Sequence, residues 1–136
     1  MHKKLKIDDY LLGIDSIDQQ HAKLLEMINM LAKSMSLGDA RSELESLIER
    51  LYAFAQSHFA YEEELMRQTE YPGYELHRSQ HMSYQDDILK LFHRWNDGGG
   101  FMIAVDVHKM MIQWATEHIL EHDKQYAEHL IKNGIS

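Results

Sequence analysis

A chain of 136 residues, 44% hydrophobic and without cysteine, has room for one buried core and needs no disulfide to hold it. The missing thiols exclude a disulfide framework, zinc–thiolate sites, iron–sulfur clusters and cysteine nucleophiles, and they suit a reducing compartment. A formal net charge of −8 argues against nucleic acid or an anionic membrane as partner, because both need a basic face.

Residues 1–13 read as an N-terminal arm. Lys3, Lys4 and Lys6 are followed by Asp8 and Asp9 where a signal peptide needs an apolar stretch. No apolar run approaches the ~18 residues that span a bilayer. A soluble cytoplasmic protein is expected. The first helix is predicted over residues 14–35, where Ile14, Ile17, His21, Leu24, Ile28, Leu31 and Met35 recur at spacings of three and four. Gly38 is a candidate C-cap, and Asp39 a candidate N-cap for the next helix. The second helix covers residues 40–68, with Leu44, Leu47 or Ile48, Leu51, Ala55, His58, Glu62 and Leu65 on one face. Tyr71-Pro72-Gly73 breaks the chain, since proline stops a helix and glycine permits positive φ. The third helix, residues 74–95, carries His77, His81, Tyr84, Ile88, Leu91 and Trp95. The glycine-rich stretch 96–100 is the next break. The fourth helix, residues 102–122, aligns Val107, Met111, Trp114 and His118, and a short tail helix over 124–133 ends before Gly134. Short connections make neighbouring helices antiparallel. The expected fold is all-α: a single domain over 1–136, an up-down-up-down four-helix bundle with an N-terminal arm and a short C-terminal helix.

Polar residues interrupt every apolar stripe: His21; His58 and Glu62; His77 and His81; His118. A buried imidazole or carboxylate without a partner costs several kcal/mol. His21 lies near the start of its helix and His58 and Glu62 near the end of theirs. His77 and His81 open the third helix, and His118 is near the end of the fourth. Antiparallel packing brings all six to one end of the bundle, within a slab roughly 10 Å thick at ~1.5 Å rise per residue.

Imidazole and carboxylate without thiolate suit iron, and also accept zinc, manganese or copper. The pairs His58/Glu62 and His77/His81 are spaced i, i+4, so each points from one helix face at a common centre. Asp123 follows His118 by five residues. In a regular helix that is a turn of about 140°, away from the ligand face. A π-turn between His118 and Asp123 is therefore predicted, to bring Asp123 inward. Five histidines and two carboxylates exceed the needs of one metal. Two octahedral metals offer twelve positions. Five imidazoles, two bridging carboxylates and one bridging oxygen fill eleven, which leaves one open for a small ligand.

The run His58-Phe59-Ala60-Tyr61-Glu62, then His77-Arg78-Ser79-Gln80-His81, then His118-Ile119-Leu120-Glu121-His122-Asp123 resembles the hemerythrin ligand set. Gly13-Ile14-Asp15 and Ile17-Asp18-Gln19-Gln20-His21 are similar to that family's first helix. Trp114 and Asp123-Lys124-Gln125-Tyr126 are similar to its last. The layout resembles the stand-alone bacterial hemerythrins. The resemblance implies two non-haem irons: one bound by His77, His81 and His118, the other by His21 and His58. Glu62, Asp123 and an oxo or hydroxo group would bridge them. It implies reversible dioxygen binding at the two-histidine iron, for carriage, storage or delivery, and no enzymatic activity. Phe59, Trp114, Ala115 and Ile119 would line the ligand pocket. Beyond dioxygen, an oxygen-using enzyme or a signalling protein is an expected partner. Two positions depart from the pattern. Lys6-Ile7 stand where the family often has a tryptophan in the arm. Ala115 stands where many relatives have a bulky aliphatic, which predicts a roomier pocket and faster autoxidation.

Other residues take plainer roles. His2, His93, His108 and His129 are expected on the surface, and His122 either beside the ligands or on the surface. Glu63 and Glu64 are expected on a solvated acidic face, and the nine methionines in the core. Tyr126 either bonds near the bridge or anchors the tail. Three other functions compete. A di-iron oxidase of the ferritin-like kind would use Glu-x-x-His pairs, and no glutamate here has a histidine three residues later. A module that senses or detoxifies oxygen, nitric oxide or iron would need a separate partner. A structural zinc bundle needs fewer ligands than seven.

Overall fold

The computed structural model describes residues 5–38, 40–98 and 100–136, without the side chains of 40–42 and 101. The expected cap Asp39, Gly99, and the first four residues with His2 lie outside the described residues. Four antiparallel helices form an up-down-up-down bundle and a short fifth helix closes one end. α1 spans Asp15–Leu37, α2 Ala40–Gln68 and α3 Tyr74–Asn96. α4, Phe101–Gln113, runs without a break into a π-helical segment, Trp114–Asp123, and then into α5, Lys124–Lys132. α1 packs on α2 and α4, and α3 packs on the same two helices.

The arm holds one 3-10 turn at Ile7–Asp9 and is tied down by side chains of α1. Asn29 bonds the backbone N–H and C=O of Leu5, both at 2.9 Å. Asp18 accepts from the N–H groups of Leu12 and Gly13 at 2.8 and 3.2 Å. Tyr10 is buried, and Leu5 and Ile7 pack on the core, so aliphatic contacts serve where the family often has a tryptophan. Gly38 ends α1 in the left-handed region at φ 78°, with its N–H returned to Met35 and Ser34. Glycine adopts that conformation without a Cβ clash.

The core is divided in two. The larger cluster includes Leu24, Ile28, Leu31, Leu44, Leu51, Ile88, Val107, Met111 and Trp114. A smaller one, Ile14, Ile17, Met66, Tyr126, Ala127 and Leu130, sits where α1 begins, α2 ends and α5 folds over. Burying aliphatic side chains of this size stabilises by about 1.5–3 kcal/mol each, which fixes α5 as a cap on the bundle end. Among the described residues, no helix is long and apolar enough to cross a membrane.

Candidate metal centre

Between the two clusters lies a buried polar group: His21 from α1, His58 and Glu62 from α2, His77 and His81 from α3, and His118 and Asp123 from the π segment. None is more than 4% exposed. These are the seven side chains singled out in the sequence, and they fall into two groups that share both carboxylates. Glu62, Asp123, His77, His81 and His118 form one, and Glu62, Asp123, His21 and His58 the other, with donor atoms within 4.8 Å of one another in each.

The carboxylate oxygens divide in the same way. Asp123 turns Oδ1 to His77 Nε2 (2.7 Å) and His118 Nε2 (3.0 Å), and Oδ2 to His21 Nε2 (3.3 Å). Glu62 turns Oε1 to His81 Nε2 (3.3 Å), and Oε2 to His58 Nε2 (3.3 Å) and His21 Nε2 (3.5 Å). In an octahedron with bonds of about 2.1 Å, neighbouring donors lie about 3.0 Å apart. The observed spacings of 2.7–3.5 Å bracket such edges, so donors that hydrogen-bond to one another could equally share a metal ion. Among the described residues, Nε2 of His21 and His58, Oε1 of Glu62 and Oδ2 of Asp123 are buried with no hydrogen-bond partner. Buried polar atoms are rarely left so. A pair of metal ions, one per group, would satisfy these four atoms, although Nδ1 of His21 and of His118 is also buried with no hydrogen-bond partner among the described residues.

The π segment delivers Asp123. A turn closed by i→i+5 bonds is wider than an α-turn, so residues five apart return to one face. The distortion expected between His118 and Asp123 is present, but it begins earlier, at Trp114. Thr116 lies near its start, and its hydroxyl donates to the Ile112 carbonyl at 2.9 Å. Such back-bonding competes with the helical ladder and loosens it.

Aromatic rings wall the donors. Phe59 stacks on His81 with ring centres 3.9 Å apart and planes within 6°. Phe54 lies parallel to His58 at 5.2 Å, and Tyr84 meets His118 edge-on at 5.4 Å. Trp114, Ala115 and Ile119, expected around the ligand pocket with Phe59, are all fully buried in the larger apolar cluster.

Three further residues hold the ligands in place. The solvated face expected for Glu63 and Glu64 describes only Glu64, which is exposed and paired with Arg67. Glu63 instead accepts from Nδ1–H of His81 at 2.9 Å. Gln20 accepts from Nδ1–H of His58 at 2.5 Å. Each bond leaves Nε2 as the free donor, the arrangement metal-binding histidines use. Tyr126 combines the two roles weighed for it, since its ring anchors α5 and its hydroxyl donates to Glu62 Oε2. Burial, with the charges of Glu62 and Asp123, pushes that hydroxyl well above its ordinary pKa, so it remains a donor. His122 packs 6.0 Å from the His118 ring and belongs to neither group of donors. His129 is half-buried and bonds the Thr69 carbonyl at 2.7 Å.

Without metal, the group is self-neutralising. Burial opposes charge on His21 and His81, but hydrogen bonds and proximity to the carboxylates outweigh it and raise both pKa values to about 9. Burial likewise opposes charge on Glu62 and Asp123, and the histidines override it and hold both below the carboxylate range. At pH 7 His21 and His81 therefore carry protons beside the two ionised carboxylates. The histidine contribution to stability is complete below their unfolded value near 6.5 and is lost as pH rises through about 9. The carboxylate contribution is present above about pH 4.5 and is lost as pH falls. Metal-free protein should be most stable between about pH 4.5 and 6.5 and lose on the order of 3 kcal/mol for each of the two histidines by pH 9. Denaturant melts across that range check it. Loading with Fe(II) at pH 7 should release at least two protons per chain, read by pH-stat, because ligating histidines must be neutral. Uptake without proton release would contradict the paired charges.

Known proteins resemble this chain in family and in fold. Residues 12–130 match the family profile described as Hemerythrin HHE cation binding domain. A bacteriohemerythrin of Stenotrophomonas maltophilia is 32% identical over 121 residues, which are 89% of this chain and 77% of that protein. One of Clostridium acetobutylicum is 28% identical, over 89% of this chain and 96% of its own. Among solved structures, a leucine-to-alanine mutant of a hemerythrin superposes with a TM-score of 0.81 at 23% identity, over 94% of this chain and 96% of that one. A wild-type hemerythrin gives 0.76 at 21% identity, over 96% and 98%. At these identities the superpositions bear on the fold alone.

Proposed function

Since the chain belongs to the hemerythrin family, whose domain implies a non-haem di-iron site, we propose that it binds dioxygen reversibly at that site as a carrier or store and not as an enzyme. The observation that carries the reading is the division of seven buried donors into a three-histidine and a two-histidine group sharing both carboxylates. In this reading His77, His81 and His118 hold one iron and His21 and His58 the other. Glu62 and Asp123, which belong to both groups, would be shared between the two irons. The iron pair supplies the two electrons that reversible dioxygen binding borrows and returns.

The chain's own residues supply the rest. Phe59, Trp114 and Ile119 keep bulk water away, which favours release of the ligand intact over its further reduction. Tyr126 holds Glu62 in its bridging orientation. With five imidazoles and only two carboxylates, the donor set has few anionic groups to stabilise higher oxidation states, which favours carriage over oxidation chemistry. The cysteine-free sequence suits a reducing, cytoplasmic setting, in which bound oxygen would pass to an oxygen-using enzyme or a signalling partner.

The test is an optical spectrum of the reduced, iron-loaded protein before and after air. A visible charge-transfer band that appears with oxygen and fades under vacuum supports carriage. Oxygen consumption that tracks an added organic substrate would favour a di-iron oxidase instead. Ala115 gives a further prediction. Ala115→Leu should fill the pocket and exclude water and anions, and so slow autoxidation to the diferric form, at a packing cost of about 1–3 kcal/mol. Autoxidation timed by loss of the oxygenated band checks this, and an unchanged rate contradicts it.

A further inference from the structure

Two of the five imidazoles are held through Nδ1 by acceptors of different charge, one in each donor group. His81, in the three-histidine group, donates to the Glu63 carboxylate at 2.9 Å. His58, in the two-histidine group, donates to the neutral Gln20 amide oxygen at 2.5 Å. Glu63 is only 15% exposed, and its other oxygen faces Arg78 Nε at 4.0 Å, which orients the carboxylate without a close ion pair. Phe59, stacked flat on His81, shields the same ring from water.

A carboxylate at the far nitrogen of a ligating imidazole makes the ring a stronger donor, and an amide oxygen does so less. The stronger donor favours the more highly charged metal ion. We propose that Glu63 is a positioning residue that lowers the reduction potential of the three-histidine iron relative to its neighbour. The first electron removed from the diferrous pair then comes from the His77/His81/His118 side. The iron held by His21 and His58 would then remain Fe(II) in the half-oxidised protein. This rests on the di-iron reading above and adds a direction to it.

Anaerobic redox titration of the iron-loaded protein with ferricyanide, a one-electron oxidant that is reduced to ferrocyanide, tests the inference. Glu63→Gln keeps an oxygen acceptor for His81 and removes the charge. It should retain two irons and raise the midpoint of the first step by about 59 mV, a tenfold change in preference. Gln20→Glu places a charge on the other side and should lower the midpoint of the second step, bringing the two steps together. Glu63→Gln with two irons and an unmoved first midpoint overturns the inference. Should Glu63→Gln lose its metal, the Gln20→Glu titration decides, and an unmoved second step overturns it equally. Wild-type protein that does not hold two irons refutes the di-iron reading instead, so the two failures are distinguishable.

Discussion

Replacing Asp123 by alanine is expected to abolish paired metal binding, with iron retained after chelator treatment falling from two per chain to at most one. Asp123 is the side chain that touches histidines from α1, α3 and the π segment together, at 3.3, 2.7 and 3.0 Å. Its loss leaves His21, His58 and Glu62 as a three-donor remnant that is open to water. Losing a residue that merely supports a ligand costs about 10–100-fold in affinity, so removing a shared ligand should cost more. The metal-free variant should also suffer. His21 would lose one of the two carboxylates that hold its proton, and an uncompensated buried charge costs about 3–5 kcal/mol. Asp123→Asn separates the effects, because it keeps the volume and removes the charge. Retention of two irons by Asp123→Ala in metal analysis would refute the bridging role.

The second large effect concerns the π segment. Inserting one alanine after Glu121 should eliminate metal binding and lower the melting temperature, whereas deleting Glu121 should preserve two metals. An inserted residue rotates everything beyond it by about 100°. That carries Asp123 off the ligand face and turns Tyr126, Ala127 and Leu130 out of the cluster that seals the bundle end. Deletion does the reverse. It places His118 and the aspartate four residues apart, the spacing His58 and Glu62 already use, so an ordinary α-turn would serve. Glu121 is exposed and its side chain is not missed. Equal loss of metal in both variants would mean that the π conformation contributes more than register.

Much of this was legible in the sequence because helical periodicity fixes which side chains meet. The stripes of α1 to α4 located the core, and histidines standing in those stripes located the site. The five-residue gap from His118 to Asp123 required a helix distortion, and one is present. What escaped detection depends on how each helix is rotated against its neighbours. Glu63 is one residue beyond Glu62, and only the closeness of α3 turns it from a surface acid into the partner of His81. Gln20 depends in the same way on α2. Their adjacency to ligand residues is a weak signal shared with Glu117, which is exposed beside His118. The start of the π segment at Trp114 accompanies a single hydroxyl–carbonyl bond at Thr116, and spacing does not encode that. Asn29 reaches across 24 residues to hold the arm, a contact with no local pattern.

Anaerobic titration of metal-free protein with Fe(II), followed by equilibrium dialysis and metal analysis, addresses the core of this account. Two tightly held ions per chain are predicted, falling to at most one when either shared carboxylate is removed. Saturation at a single ion, in protein whose helical content is intact, would contradict it.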